Sequence, residues 1–341
     1  QVLLPVIQGR EGNQQSVAAA FQLLIHLHVE NSSRAALLLK WLEDESHDPS
    51  LLGQALDVYA LQMTGEDAAT MATLLVDRIV ADPELNEYPI LFSMETLAQE
   101  LPADTLKPLV ESLLPSCERG QGTNVFIILA LKLEPDDLLP LKDTILEYMR
   151  EEQDHQVLAS QAQVLGRLSE KLDADAVRPI ADVLLNRLET QHDTYPVNML
   201  SSTLAGVAER LGSEDVAKVV DAVIQRIKSE KHEFTRSVLV RALGELGTHL
   251  EPARLKPVAD LFVDEMRNQQ GFLLEEPSKA VAAVADRLNP TDRARYASAI
   301  LDRIATQRDS VAVYHLGRAL AKLIEGVDAN VAPALGTALI Q

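Results

Sequence analysis

The stretch Leu172-Asp-Ala-Asp-Ala-Val-Arg-Pro179 recurs along the chain with its spacing nearly intact. Its counterparts are Leu101-Pro-Ala-Asp-Thr-Leu-Lys-Pro108, Leu133-Glu-Pro-Asp-Asp-Leu-Leu-Pro140, Leu211-Gly-Ser-Glu-Asp-Val-Ala-Lys218, Leu250-Glu-Pro-Ala-Arg-Leu-Lys-Pro257 and Leu288-Asn-Pro-Thr-Asp-Arg-Ala-Arg295. A further copy begins at Val327, with Pro333; an earlier one begins at Met63, and a degenerate one lies near His26. From Met63 onward the leading residues are 38, 32, 39, 39, 39, 38 and 39 apart. Self-similarity at such a period marks a stacked repeat array, not a pair of unrelated domains. The short step lacks about two helical turns. It lies beside Gly120 and Gly122, so a truncated helix or weak seam is expected at 117–124.

Each unit reads as two helices. In 172–211, Asp173 or Asp175 can cap a first helix, because a carboxylate accepts the free N–H groups of an opening turn. Val177, Ile180, Val183, Leu184 and Leu188 follow with helical spacing, and Pro179 falls near the first turn. The polar segment Thr190 to Pro196 reads as the turn. Leu200, Leu204, Val207 and Leu211 then share one face of a second helix. Seven positions before each leading residue stand Met94, Phe126, Leu165, Leu204, Leu243, Val281 and Leu320, a buried ridge. Six positions before stand Gly166, Ala205, Gly244, Ala282 and Ala321, small enough for a neighbouring helix to approach closely.

Composition agrees. The 341 residues are 47% hydrophobic but only 4% aromatic, with Ala and Leu in place of the β-formers. The net charge of −20 argues against nucleic acid and anionic membranes as partners. That charge is uneven. Residues 1–141 carry seven basic and 21 acidic side chains, and residues 142–341 carry 24 and 30. The acidic first third would attract a basic partner. No apolar run is long enough to span a bilayer, and a cytoplasmic location is expected.

The period and the stretch Val238-Leu-Val-Arg-Ala-Leu-Gly-Glu-Leu-Gly247 resemble the HEAT-repeat and armadillo-like α-solenoid class. Val311-Ala-Val-Tyr-His-Leu-Gly-Arg-Ala-Leu-Ala-Lys-Leu323 is a looser match. The resemblance implies an all-α, right-handed superhelix of about eight two-helix repeats over 1–341, with second helices lining a concave face. Both ends read as truncated repeats. An Asp-then-Arg pair around the turn, frequent in HEAT repeats, is not kept. Instead an arginine recurs fifteen residues after the leading residue, at Arg78, Arg187, Arg226 and Arg303, placed to offset a helix C-terminal dipole.

Catalytic signals are weak. Cys117 stands alone beside Arg119 with no nearby histidine. His47, His155, His192 and His232 fall near turns, and repeats about 10 Å apart cannot share one metal ion. His26 and His28 face different sides of a helix. The acidic runs Asp136-Asp137, Glu275-Glu276 and Glu43-Asp44-Glu45 sit where carboxylates stabilise helix starts. No cofactor, metal site or enzymatic activity is expected.

One polar face remains. Nine positions before the leading residues stand Gln163, Ser202, Arg241, Lys279 and Arg318; four further along stand Arg167, Gly206, Glu245, Ala283 and Lys322. Positions four apart share a helix face. Gln163, Arg167, Ser202, Arg241, Glu245, Lys279, Arg318 and Lys322 are therefore candidate partner-binding residues, with Arg241, Lys279 and Arg318 as a basic column for an acidic segment. The resulting reading is a protein-interaction scaffold. Alternatives are a regulatory module of a parent chain carrying a protease, kinase or nuclease, and a small-molecule handler of the bilin-lyase type.

Overall fold

Fourteen α-helices follow from this pattern in a computed structural model that describes residue 60 and residues 65–82 and 87–325. The chain divides into two units, Gln1–Leu172 and Asp173–Gln341. The first contains α1 (Gly65–Ala81), α2 (Leu91–Glu100), α3 (Ala103–Glu118), α4 (Thr123–Ala130), α5 (Pro135–Glu151) and α6 (His155–Ser169). The second contains α7 (Ala174–Thr190), α8 (Thr194–Ala208), α9 (Ser213–Ser229), α10 (Glu233–Gly247), α11 (Leu255–Asn268), α12 (Glu275–Val284), α13 (Pro290–Thr306) and α14 (Ser310–Ile324). Odd-numbered helices are the first of each pair and even-numbered ones the second. Among the described residues there is no strand. The copies beginning at Met63, near His26 and at Val327 have leading residues outside the described ones, as does His47.

Local chemistry explains the pairs. The Asp173 carboxylate accepts from the Ala176 N–H at 2.9 Å and starts α7. Asp154, Asn289 and Asp309 do the same for α6, α13 and α14. Pro108, Pro140 and Pro179 are each the sixth residue of a first helix. None of the three is buried, so the carbonyl each leaves without an N–H partner lies on the side of the helix open to water. Val177, Ile180, Val183, Leu184 and Leu188 are all buried, as are Leu200, Leu204 and Val207 on α8. The turn differs from the sequence reading. It is three residues, 191–193, and Pro196 lies inside the first turn of α8. Proline is tolerated there because the opening N–H groups of a helix have no intrahelical acceptor.

The ridge column Met94, Phe126, Leu165, Leu204, Leu243, Val281 and Leu320 is buried throughout. The small-residue column is less uniform. A Cβ placed on Gly244 would meet the Ala280 Cβ at 2.8 Å, so α10 and α12 touch nearly backbone to backbone. A Cβ on Gly247 would meet the Val284 Cγ1 methyl at 2.9 Å. Ala282 is only half-buried and Ala321 is exposed.

The seam at 117–124 leads into the shortest α-helix among the described residues, the eight-residue α4. Gly120 and Gly122 turn the chain with φ of +72° and +61°, where a side chain would be strained. Gly122 cannot cap α4 itself. The Glu87 carboxylate does so from the previous repeat, accepting from the N–H groups of Asn124 and Val125 at 3.2 Å and from the Asn124 amide at 2.7 Å. We propose that this junction is the weakest in its unit, since α4 offers its neighbours about half the length of α6.

The repeating arginine has a defined task. Arg226 on α9 reaches back one repeat to the end of α7, donating to the Leu188 and Gln191 carbonyls at 3.2 and 2.9 Å. Arg303 on α13 does the same for α11, donating to Met266 and Gln269 at 3.2 and 2.8 Å. A second column, immediately before the leading residues, serves the second helices. Lys171 donates to the Leu131 and Leu133 carbonyls after α4, and Arg287 to those of Gly247, Thr248 and Leu250 after α10. Carbonyls at helix ends have no intrahelical donor, so a cation from the next repeat satisfies them and opposes the dipole.

Candidate partner-binding face

The candidate residues lie on the even-numbered helices of both units. In the first, Gln163 and Arg167 sit on α6. Gln163 donates to the Asn124 side chain at 3.4 Å, and Arg167 pairs with Glu170. In the second, Ser202, Arg241, Glu245 and Lys279 come together along a groove of about 570 Å³ between α8, α10 and α12. Small residues line it as well: Ala205, Gly206, Gly244, Ala280 and Ala283, of which Gly244 and Ala280 let α10 and α12 approach. Lys279 also lines a smaller cavity of about 290 Å³ with Arg318 and Lys322, between α12 and α14.

The three cations of the basic column have different surroundings. Arg241 bridges to α8, donating to the Asn198 and Ser202 side chains, both neutral. Lys279 is ion-paired within its own helix to Glu275 at 2.7 Å and Glu276 at 3.2 Å. The Arg318 guanidinium stands 5.9 Å from the centre of the Tyr314 ring. Further along, Lys322 pairs with Glu325 at 2.6 Å. Burial and the Glu276 charge push the Glu245 carboxyl up, against the opposite pull of Arg241. The groove is thus a trough lined by charges of both signs and by small residues.

A row that the sequence reading missed lies on the same face. Tyr195, Phe234, Phe272 and Val311 stand sixteen positions before the leading residues of four successive repeats. They are 56%, 53%, 57% and 49% exposed. The Phe234 and Phe272 rings meet across neighbouring repeats with centroids 5.5 Å apart. The signal was available as a register column, but exposed aromatics in a Leu-rich chain read as core.

Cys117 is buried, and desolvation together with the Glu87 charge pushes its thiol well up, away from the reactive thiolate. His155, His192 and His232 are exposed, His155 and His232 at helix starts and His192 in the turn before α8. Among the described residues no three His, Cys, Asp or Glu side chains are placed to hold a metal ion, and no helix is long and apolar enough to cross a membrane.

No protein-family model and no curated protein sequence matches the chain. Solved structures do. Importin beta, crystallised in an ammonium sulfate condition, superposes with a TM-score of 0.74 at 14% identity, covering 99% of this chain and 49% of that one. Kap121p bound to Pho4p gives 0.63 at 14% identity, covering 99% and 43%. Kap121p bound to RanGTP gives 0.63 at 13%, covering 99% and 42%.

The fold is a HEAT-like α-solenoid.

Identity this low carries the fold alone, and the chain spans less than half the length of the structures it matches. Within that solenoid, the even-numbered helices are the second helices of the repeats, and their polar face is the one described above.

Proposed function

We propose that this chain is a non-enzymatic protein-interaction scaffold, and that the exposed face of α8, α10, α12 and α14 lines the concave side of its unit and receives a segment of a partner protein. The observation that carries this reading is the groove itself. Four of the candidate residues from three successive repeats line one trough, and Lys279 joins it to the cavity holding Arg318 and Lys322. Stacked repeats present such surfaces because each contributes the same face at the same register. The solved structures similar to this chain include one with Pho4p, one with RanGTP and one of a karyopherin with the protease Ulp1p, so protein partners suit the fold. The acidic residues 1–141 have a separate part in the proposal, steering basic segments toward the first unit through a salt-sensitive field.

The test is a charge reversal. The variant R241E/K279E/R318E should lose partner capture by roughly tenfold or more, as expected when several central interface cations are removed. Capture should weaken with salt in the wild type and lose that dependence in the variant. Undiminished capture by a folded variant would remove this face from the proposal.

A further inference from the structure

The three rows of the second-helix face have a geometry that selects a partner chemistry. On α10, Phe234, Arg241 and Glu245 follow one another at intervals of seven and four residues, and Phe272, in the 3-10 turn Gly271–Leu274 just before α12, precedes Lys279 and Ala283 of α12 at the same intervals. Val311, Arg318 and Lys322 repeat the pattern on α14. Seven residues is close to two full turns, so each set lies on one stripe. The apolar row and the basic row are therefore parallel, about 10 Å apart along the helix axes at 1.5 Å per residue. Across the helices, one repeat leads to the next at about 10 Å. A segment in the polyproline II conformation rises about 3.1 Å per residue with three residues per turn, so every third residue would face the same row one repeat further on.

Resting on the function proposed above, we infer that this face binds an extended segment of a partner with an apolar side chain at every third position and carboxylates between them. The apolar side chains settle against Tyr195, Phe234, Phe272 and Val311. Four residues of this kind, each about half exposed and in register, give the segment a ladder of contacts. The carboxylates meet Arg241, Lys279 and Arg318. Charge complementarity favours acids at this row, because Arg241 hydrogen-bonds to the neutral Asn198 and Ser202 side chains and Arg318 stands over an aromatic face, with Glu245 and Glu275 acting on them only through the field. Lys279 differs in being directly ion-paired to Glu275 and Glu276 of its own helix.

The probe is a fluorescent peptide of four Leu-Glu-Asp triplets, titrated into the full chain and followed by anisotropy. Two comparison peptides replace Leu by Ser, or the acidic pair by Lys-Arg. The Leu-Glu-Asp peptide should bind about tenfold tighter than either, and F234S/F272S should weaken it by about tenfold, the scale of a lost aromatic anchor. These side chains are about half exposed and their rings pair only with each other, so the variant should stay folded and melt a few degrees below wild type at most. Y195S, which leaves the Phe pair intact, should weaken binding without touching it. Equal binding of the Ser peptide, tighter binding of the Lys-Arg peptide, or no binding of any peptide overturns the inference. If R241E/K279E/R318E loses the peptide while F234S/F272S keeps it, this inference fails and the charged face stands. If both keep it, the function proposed above fails as well.

Discussion

Replacing Arg226 with alanine is expected to cost about 3–5 kcal/mol, the range seen when one partner of a buried ion pair is removed. Arg226 is 8% exposed and Glu230, its partner at 2.7 Å, is 9% exposed. The same guanidinium satisfies two carbonyls at the end of α7. R226A leaves two helix-end acceptors without their donor and a buried carboxylate with its backbone N–H groups but no cation. Removing Glu230 as well should recover part of the loss, since no uncompensated charge then remains. R303A should cost less. Arg303 caps α11 in the same way but is half-buried. Chemical denaturation of the three variants measures the order.

The pair also sets an acid response. Burial pushes the Glu230 carboxyl up, but the His232 N–H and the Arg226 guanidinium more than offset it, leaving its pKa below the ordinary carboxylate value. A group depressed in the folded state contributes stability above its unfolded pKa and loses it as pH falls through the folded one. The gap between R226A and wild type should therefore narrow in acid below the ordinary carboxylate range. A gap that is constant there would mean the loss is packing rather than charge.

Gly244 to alanine should destabilise by about 1–3 kcal/mol, the cost of forcing atoms into a filled interface. The sign is what makes this informative. In a helix interior, glycine to alanine ordinarily gains about 0.5–1 kcal/mol. Gly206 provides the reference. It is exposed on α8 and a Cβ there meets nothing within 4 Å, so G206A should be neutral or stabilising. At Gly244 the added carbon meets the Ala280 Cβ at 2.8 Å and its Cα at 3.0 Å, and backbone cannot step aside as a flexible side chain can. G244A should also widen the groove, because Gly244 and Ala280 both line it. Equal melting of G244A and G206A would mean that α10 and α12 are not held at this distance.

The repeat was legible in the sequence because its leading stretch combines a buried leucine, a capping site and a proline, three features with independent local causes. Leu101, Leu133, Leu172 and Leu250 are buried, and Asp173 caps as its position implies. Pro196 misled the reading of the turn, since a proline can equally open a helix or end one. The arginine column was visible too, but not its acceptors. Leu188 and Gln191 lie 38 and 35 residues from Arg226, and only stacking brings them together. The cations at Lys171 and Arg287 were missed for the same reason. On the candidate face, the sequence placed Ser202, Arg241, Glu245 and Lys279 at related positions, and the structure lines one groove with them. What it could not supply was how each charge is met. Arg241, Lys279 and Arg318 look alike as a column, yet one contacts amide and hydroxyl, one carboxylates and one a ring.

Amide hydrogen exchange on the intact chain, with and without a purified partner captured by it, tests the central claim most directly. The account predicts slowed exchange on α8, α10, α12 and α14, strongest in the opening turns of α8, α10 and α14 that carry Tyr195, Phe234 and Val311 and in the turn Gly271–Leu274 before α12 that carries Phe272. The first helices α7, α9, α11 and α13 should be unchanged. Protection confined to those first helices, with the second helices exchanging as in the free chain, would contradict it.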